Sequence, residues 1–181
     1  MEKKKIRERI VGDNIILRKI TMEDTDNVVR WRNNPEVRNN FIFRGEFTYE
    51  THTHWMQTKV ASGQVIQYII LTKDGEIPVG SVYFRDVDMI NNSAEYGVFI
   101  GEDFARKKGI GTEAAKLFSR YGLEELGFHR ISLRVLEGNE VAYRTYEKAG
   151  FKKEGVFRDM VFLDGKYRDV IFMSLLKEDI G

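Results

Sequence analysis

Residues Ala94 to Ala114 read AEYGVFIGEDFARKKGIGTEA, a pattern of strand, polar turn, glycine-rich corner and helix. Glu95, Tyr96, Val98, Phe99 and Ile100 are the β-rich residues of a mostly buried strand. Ala114, Leu117, Phe118 and Tyr121 fall at helical spacing beyond the corner. Between them lies Arg106-Lys107-Lys108-Gly109-Ile110-Gly111. Glycine lets backbone N–H groups come close to a ligand, and the helix that follows offers unpaired N–H groups and the positive end of its dipole. Three cations stand beside them. The corner is suited to a phosphate or a pyrophosphate.

Working outward from it, His129 to Val135 reads as the next strand, and Asn139 caps a helix that ends at Ala149-Gly150. A strand-helix-strand unit over 94–135 predicts that its two strands are parallel neighbours joined by a right-handed crossover. Upstream, Val65 to Leu71 and Ile77 to Phe84 flank Lys73-Asp74-Gly75-Glu76 and predict a β-hairpin, with Arg85 to Asn92 as a loop. Before that come a strand at Ile15 to Ile20 and a helix capped by Thr21 that runs to Asn33. A break at Asn33-Asn34-Pro35 follows, then a short helical piece or loop to Phe47, and a helix from Thr48 through Val60. The tail predicts a second hairpin, Phe151 to Leu163 and Lys166 to Leu176, turning at Asp164-Gly165. Residues 1–13 read as a basic, loosely ordered lead, with room for some of them to pair with a neighbouring strand. The order β α α β β β α β α β β, without a repeat, predicts one mixed α/β domain over 1–181.

The bulk numbers narrow the function classes. At 181 residues the chain can bury roughly 70% of its unfolded surface without a covalent staple. Lys+Arg 29 against Asp+Glu 28 leaves a formal charge of +1, so no global field draws it to nucleic acid or to an anionic membrane. Zero cysteines exclude a thiolate nucleophile, a disulfide framework and a cysteine zinc site. The basic N-terminus lacks an apolar segment after it, and no stretch approaches a transmembrane span, so the expected setting is cytoplasmic. His52 and His54 point apart on a helix and have no third ligand nearby, so no metal is expected.

Three anion-binding motifs compete for the corner. A P-loop needs a lysine before the Ser/Thr, and here Gly111 is followed directly by Thr112. Gly109-Ile110-Gly111-Thr112-Glu113-Ala114 fits the relaxed dinucleotide fingerprint G-x-G-x-x-A. That fold, however, places the corner after an apolar first strand among repeated βαβ units, whereas here it occurs once, between hairpins. The third is the Arg/Gln-x-x-Gly-x-Gly/Ala loop of the Gcn5-related N-acetyltransferases (GNAT), which Arg106 to Gly111 resembles position for position. His129 to Phe151, HRISLRVLEGNEVAYRTYEKAGF, is similar to that family's next strand and helix, with Asn139, Ala142, Tyr146, Gly150 and Phe151 in their places. The resemblance covers essentially the whole chain. The last hairpin, with Gly165, Tyr167 and Asp169, resembles the group that acetylates ribosomal-protein N-termini, polyamines and amino sugars.

The resemblance implies a mixed, mostly antiparallel sheet with one splayed parallel pair and about four flanking helices. It implies acetyl-CoA as co-substrate, a primary amine as acceptor, and direct transfer between them. Acetyl-CoA would lie on Phe99, Ile100, Arg106, Lys107, Lys108, Gly109, Ile110, Gly111, Thr112 and Asn139, with a strand bulge within Gly97 to Ile100. Tyr146 is either the general acid, a phenol near pKa 10 protonating the leaving thiolate, or a helix-core aromatic flanked by Ala142 and Ala149. Asn139 serves as N-cap, near the pantetheine arm in family members. Glu95 is either the base that takes the amine's proton, directly or through water, or a strand residue whose side chain points to solvent or meets an arginine; the amine could also arrive neutral from solvent. Trp31, Arg32, Arg38, His52 and Trp55 resemble the WRN, VR and H-x-x-W pattern of enzymes acting on nucleotide-linked amino sugars. That pattern implies an anionic acceptor held by Arg32, Arg38 and Arg44. The same tryptophans at helical spacing also read as core, and the arginines as a solvated loop. The expected oligomeric state is monomer or homodimer. The rival within the same fold is a sensor or assembly module that binds acyl-CoA without turnover; an intact loop together with Tyr146 favours the enzyme.

Overall fold

A computed structural model describes residues 6–180. These form one eight-stranded sheet in the order β1-β2-β3-β4-β5-β6-β8-β7. The strands are β1 (Arg9–Val11), β2 (Ile15–Lys19), β3 (Ile66–Thr72), β4 (Pro78–Asp88), β5 (Ser93–Ile100), β6 (Arg130–Leu136), β7 (Lys152–Leu163) and β8 (Lys166–Leu176). The helices are α1 (Thr25–Asn33), α2 (Pro35–Arg38), α3 (Tyr49–Trp55), α4 (Ile110–Glu124) and α5 (Glu140–Lys148). Every strand pair is antiparallel except β5 with β6. No helix among the described residues is long and apolar enough to cross a membrane.

Alternation along the strands divides the core into two layers. One face of the sheet carries Tyr68, Phe84, Tyr96, Ile131 and Leu133 against Ala114, Phe118 and Tyr121 of α4 and Tyr146 of α5. The opposite face carries Ile16, Ile69, Leu71 and Phe99 against Val28 and Trp31 of α1, Val37 of α2 and Met56 beyond α3. Burial on this scale, at ~25 cal/mol per Å² of apolar surface, is the main force holding the layers.

Several local expectations change. The lead is not wholly loose: residues 9–11 pair with β2, because Ile10 is buried and Arg9 meets Glu76 at 2.6 Å. The carboxylate of Glu113 on α4 accepts from the backbone and side-chain amides of Asn14 (2.8 and 3.0 Å), which pins the β1–β2 turn to that helix. The rest of the lead, residues 1–5, lies outside the described residues. The expected loop from Arg85 begins only at Met89, since β4 runs on to Asp88. The helix capped by Thr48 widens in its last turn, where the Ala61 N–H reaches the Met56 carbonyl five residues back at 3.0 Å.

The predicted parallel neighbours are parallel, and they separate as expected, but no bulge causes it. β4 and β5 stay in unbroken register from Gly80–Ile100 to Arg85–Glu95, and the irregularity falls between Arg85 and Asp88. The separation arises because β6 pairs with β5 only through Ser93–Arg130, Ala94–Ile131 and Glu95–Ser132. Beyond that point β5 follows β4, while β6 follows β8 along its whole length. Two antiparallel ladders diverge from one short parallel seam.

Candidate active site

The fork between β5 and β6 opens a groove of about 960 Å³ that passes through the sheet from one helical layer to the other. Its far end is the glycine corner. Gly109 has φ 80° and is the N-cap of α4, and Lys107 also has a positive φ of 60°. A Cβ on Gly109 would meet nothing within 4 Å, and one on Gly111 would meet only Thr145 Cγ2 at 3.9 Å. The cradle is open, and the free N–H groups of the first turn of a 15-residue helix border it. These residues fit a pyrophosphate.

Of the residues expected to hold acetyl-CoA, Phe99, Ile100, Arg106, Lys107, Gly109, Ile110, Gly111, Thr112 and Asn139 line the groove, and Lys108 does not. Arg106 contributes its backbone position rather than a free charge. Its guanidinium is paired with Glu36 and with Asp103 (3.0 Å) and donates to the carbonyls of Ile100 (3.2 Å) and Gly101 (3.1 Å). Asn139 caps α5, accepting from the Ala142 N–H at 3.2 Å, while its amide donates to Asn40 Oδ1 at 3.2 Å.

Tyr146 borders the groove from α5, 8% exposed, its ring edge-on to Tyr96 and Phe151, each with centroids 5.9 Å away. Burial, assisted by the nearby Tyr83, pushes its phenol well above the ordinary value, so the hydroxyl keeps its proton. The packing is that of a helix-core aromatic, and the same side chain borders the groove. Tyr96 is raised by the same burial, and its hydroxyl is buried without a hydrogen-bond partner.

Glu95 stands at the fork itself. Its Oε1 accepts from Arg85 Nη2 of β4 at 2.5 Å and from Arg134 Nε of β6 at 3.1 Å, so the carboxylate bridges the diverging strands. Of the two readings of Glu95, the one in which it meets an arginine is what the geometry contains. Tyr83 lies opposite Gly97 in the β4–β5 register, so close that a Cβ on Gly97 would fall 2.4 Å from the ring. Burial raises the Tyr83 phenol, while Arg32, Arg85 and Arg134 oppose that shift. Arg85, Arg134 and Tyr83 were not legible as site residues, because only the cross-strand register brings them beside Glu95. Gly97 alone marks the close approach.

The expected acceptor residues divide. Trp31 is withdrawn from the set: it is 0% exposed, its Nε1 donates to Glu102 at 2.8 Å, and it packs in the α1 layer away from the groove. Arg38 is withdrawn too, since its Nε donates to the Arg44 carbonyl at 2.6 Å. Arg44 in turn holds Asp164 (2.6 Å) and the carbonyls of Asn39 and Phe41. Both arginines fix the 39–47 loop. Arg32 does line the groove, its guanidinium 3.4 Å from the centroid of Phe41. Trp55 lines it as well, donating to Gln67 Oε1 at 3.2 Å.

His52 borders the groove but is 1% exposed, and its Nδ1 lies 3.1 Å from Thr25 Oγ1. That hydroxyl spends its own hydrogen on the Met22 carbonyl at 2.7 Å, so it accepts from Nδ1–H, which assigns the tautomer. Burial lowers the His52 pKa against the opposing pull of Asp24, and the ring is held neutral, tying α3 to α1.

A sheet forked at one parallel seam, with an anion cradle at the end of the inner strand and a protonated phenol beneath the fork, is the architecture of an acyl-CoA-dependent acyltransferase. The chain belongs to the GNAT acetyltransferase family: residues 14–152 match the model of the Acetyltransferase (GNAT) domain. Its relatives include spermidine N(1)-acetyltransferase of Escherichia coli, 29% identical over 164 residues, covering 91% of this chain and 87% of that protein. The Bacillus subtilis protein YdaF is 34% identical over 109 residues, covering 60% of this chain and 58% of that one. Among solved structures, the spermidine N-acetyltransferase from Vibrio cholerae in complex with CoA and spermine superposes with a TM-score of 0.86. It is 21% identical and covers 93% of this chain and 98% of that one, a likeness of fold. The activity of the chain is acetyl-CoA-dependent N-acetyl transfer to an amine.

Proposed function

We propose that the groove is the reaction channel, with the coenzyme entering from the α4–α5 layer and the amine from the α1–α3 layer, and that Tyr146 is the general acid. The observation that carries this reading is the end of the β5–β6 pairing at Glu95–Ser132, which leaves one channel in contact with both layers. Acetyl-CoA supplies the acyl group and a thiol leaving group. The backbone N–H groups from Lys107 to Thr112 hold its pyrophosphate, and the unpaired edge of β5 from Tyr96 to Ile100 presents backbone groups to its arm and carbonyl. The acceptor nitrogen bonds the acyl carbon as the carbon–sulfur bond breaks. Tyr146 donates its proton to the departing sulfur and regains one from solvent, and the surplus amine proton leaves to water. The burial that raises Tyr146 also raises a thiolate formed against it, so the gap between proton donor and acceptor stays close to that in water.

Replacing the phenol by phenyl tests this directly. Tyr146→Phe is expected to lower kcat by ~10²- to 10⁴-fold, the usual range for a general acid, with acetyl-CoA affinity nearly unchanged. Thiol release measured with any accepted amine, together with equilibrium acetyl-CoA binding, checks both halves. Equal turnover by variant and parent would remove Tyr146 from the mechanism.

A further inference from the structure

Tyr96 is the first residue of β5 beyond the parallel seam, which ends at Glu95–Ser132. Its side chain turns to the α4–α5 layer and borders the groove beside Tyr146, only 3% exposed. Four rings surround it: Phe84 at a centroid distance of 6.2 Å, Phe118 at 6.4 Å, and Tyr146 and Phe151 at 5.9 Å each. Phe84 is also its partner across the β4–β5 ladder. A shell of this kind suits phenylalanine, which would fill the same space and bury no polar atom. The Tyr96 hydroxyl is instead enclosed with no hydrogen-bond partner among the described residues, and of the four rings only that of Tyr146 bears a polar atom. A buried hydroxyl left unpaired lowers stability, and such a group in a native protein calls for a role. Burial, with Tyr146 and then Tyr83 adding to it, raises the Tyr96 phenol, so the hydroxyl stays a donor.

We propose that Tyr96 is a positioning residue for proton delivery: as Tyr146 gives its proton to the departing sulfur, the Tyr96 hydroxyl donates a hydrogen bond to the Tyr146 oxygen and holds the negative charge that forms there. The inference rests on Tyr146 as general acid and adds the group that makes it strong enough. A phenol's ordinary pKa lies above that of a thiol, so transfer from Tyr146 to a thiolate runs uphill in water, and burial of both partners leaves that gap in place. A donor to the phenolate narrows it, because a hydrogen bond to a charged oxygen is about twice as strong as one between neutral groups. Hydrogen bonds at a catalytic acid often close only in the loaded complex, which accounts for an unpaired hydroxyl in the free protein. In the step itself the O–H bond of Tyr146 breaks, an S–H bond forms, and the electron pair stays on the Tyr146 oxygen. Tyr96 keeps its own proton throughout, and solvent returns one to Tyr146.

Tyr96→Phe, Tyr146→Phe and the double variant test this on the full chain. Thiol release from acetyl-CoA is measured with spermidine, glucosamine and a peptide N-terminus as acceptors, or with water where no amine reacts, beside acetyl-CoA binding and thermal unfolding. Tyr96→Phe is expected to lower kcat by ~10- to 10²-fold, the range for one hydrogen bond to a charged group, with acetyl-CoA affinity and acceptor KM nearly unchanged. The same variant should raise the Tm of the free protein by about 2–6 °C, because it removes an unpaired buried hydroxyl and leaves the ring. In the Tyr146→Phe background the Tm rise should persist, whereas kcat should fall no further, since the oxygen that Tyr96 serves is gone. A merely structural hydroxyl does not give lost turnover together with gained stability. Unchanged kcat in Tyr96→Phe while Tyr146→Phe is impaired would overturn the proposal, as would a second full loss in the double variant or a lower Tm on removing the hydroxyl. Equal turnover by Tyr146→Phe and the parent would instead remove the general acid, and the role of Tyr96 with it.

Discussion

Adjacent residues on α1 have opposite fates. Trp31 is fully buried against Gly101, while Arg32, turned about 100° around the helix, reaches the groove. The contact at Gly101 is close enough to be decisive: a Cβ there would lie 2.0 Å from Trp31 Cγ. The Gly101 N–H also donates to the Val79 carbonyl at 2.8 Å, which leaves the backbone little room to withdraw. Gly101→Ala is therefore expected to destabilise by about 1–3 kcal/mol or more through overpacking. At roughly 2–4 °C per kcal/mol for a chain of this size, thermal unfolding will show it. An unchanged Tm would mean that the ring moves aside freely and that Trp31 does not set the position of α1.

At the scale of the element, α4 serves two purposes at once. Its buried stripe of Ala114, Ala115, Phe118 and Tyr121 fastens it to the sheet, and its first turn, left uncapped by any side chain, faces the groove. Gly111→Asp separates the two. A Cβ at 111 has space, and a carboxylate in the first turn of a helix favours its dipole by ~0.3–1 kcal/mol, so the variant should fold at least as well as the parent. The same carboxylate opposes a pyrophosphate, and acetyl-CoA binding should be lost. A folded variant that still binds acetyl-CoA would show that the corner is not the anion site. This element was almost fully legible, because the glycines, the strand before them and the helical stripe after them are local features. The two Asp-Gly turns were legible for the same reason, with Gly75 at φ 74° and Gly165 at φ 78°. The bulge expected within 97–100 was not a local matter: the fork comes from a choice of partner strand, which no stretch of one strand records.

For the whole molecule the groove is the consequence of topology, since two helical layers share a channel only because the sheet between them divides. A ligand that fills both the cradle and the fork ties the two strands together and should stabilise the native state. Acetyl-CoA at 100 times its Kd is expected to add about 2.7 kcal/mol, a Tm rise on the order of 5 to 10 °C, while NAD at equal concentration should give none. A shift with NAD and none with acetyl-CoA would assign the corner to a different nucleotide and remove the basis of the proposed mechanism.

The sequence by itself determined the element order, the parallel unit over 94–135, the glycine corner before α4, and the placement of Asn139 as N-cap of α5 with Tyr146 within that helix. Each follows from spacing within a few residues or from motifs at a set separation. Only the tertiary structure decided that Ile10 belongs to a strand, that Trp31 is core, that Arg38 and Arg44 brace a loop, that Arg85 and Arg134 converge on Glu95 beside Tyr83, and that Arg32 stacks on Phe41 in the same groove. Side chains on β4, β5 and β6 meet through cross-strand register, and whether an arginine is free or paired depends on carboxylates and carbonyls far away in the chain. Charge can be counted along a sequence, but its balance inside a groove exists only after folding.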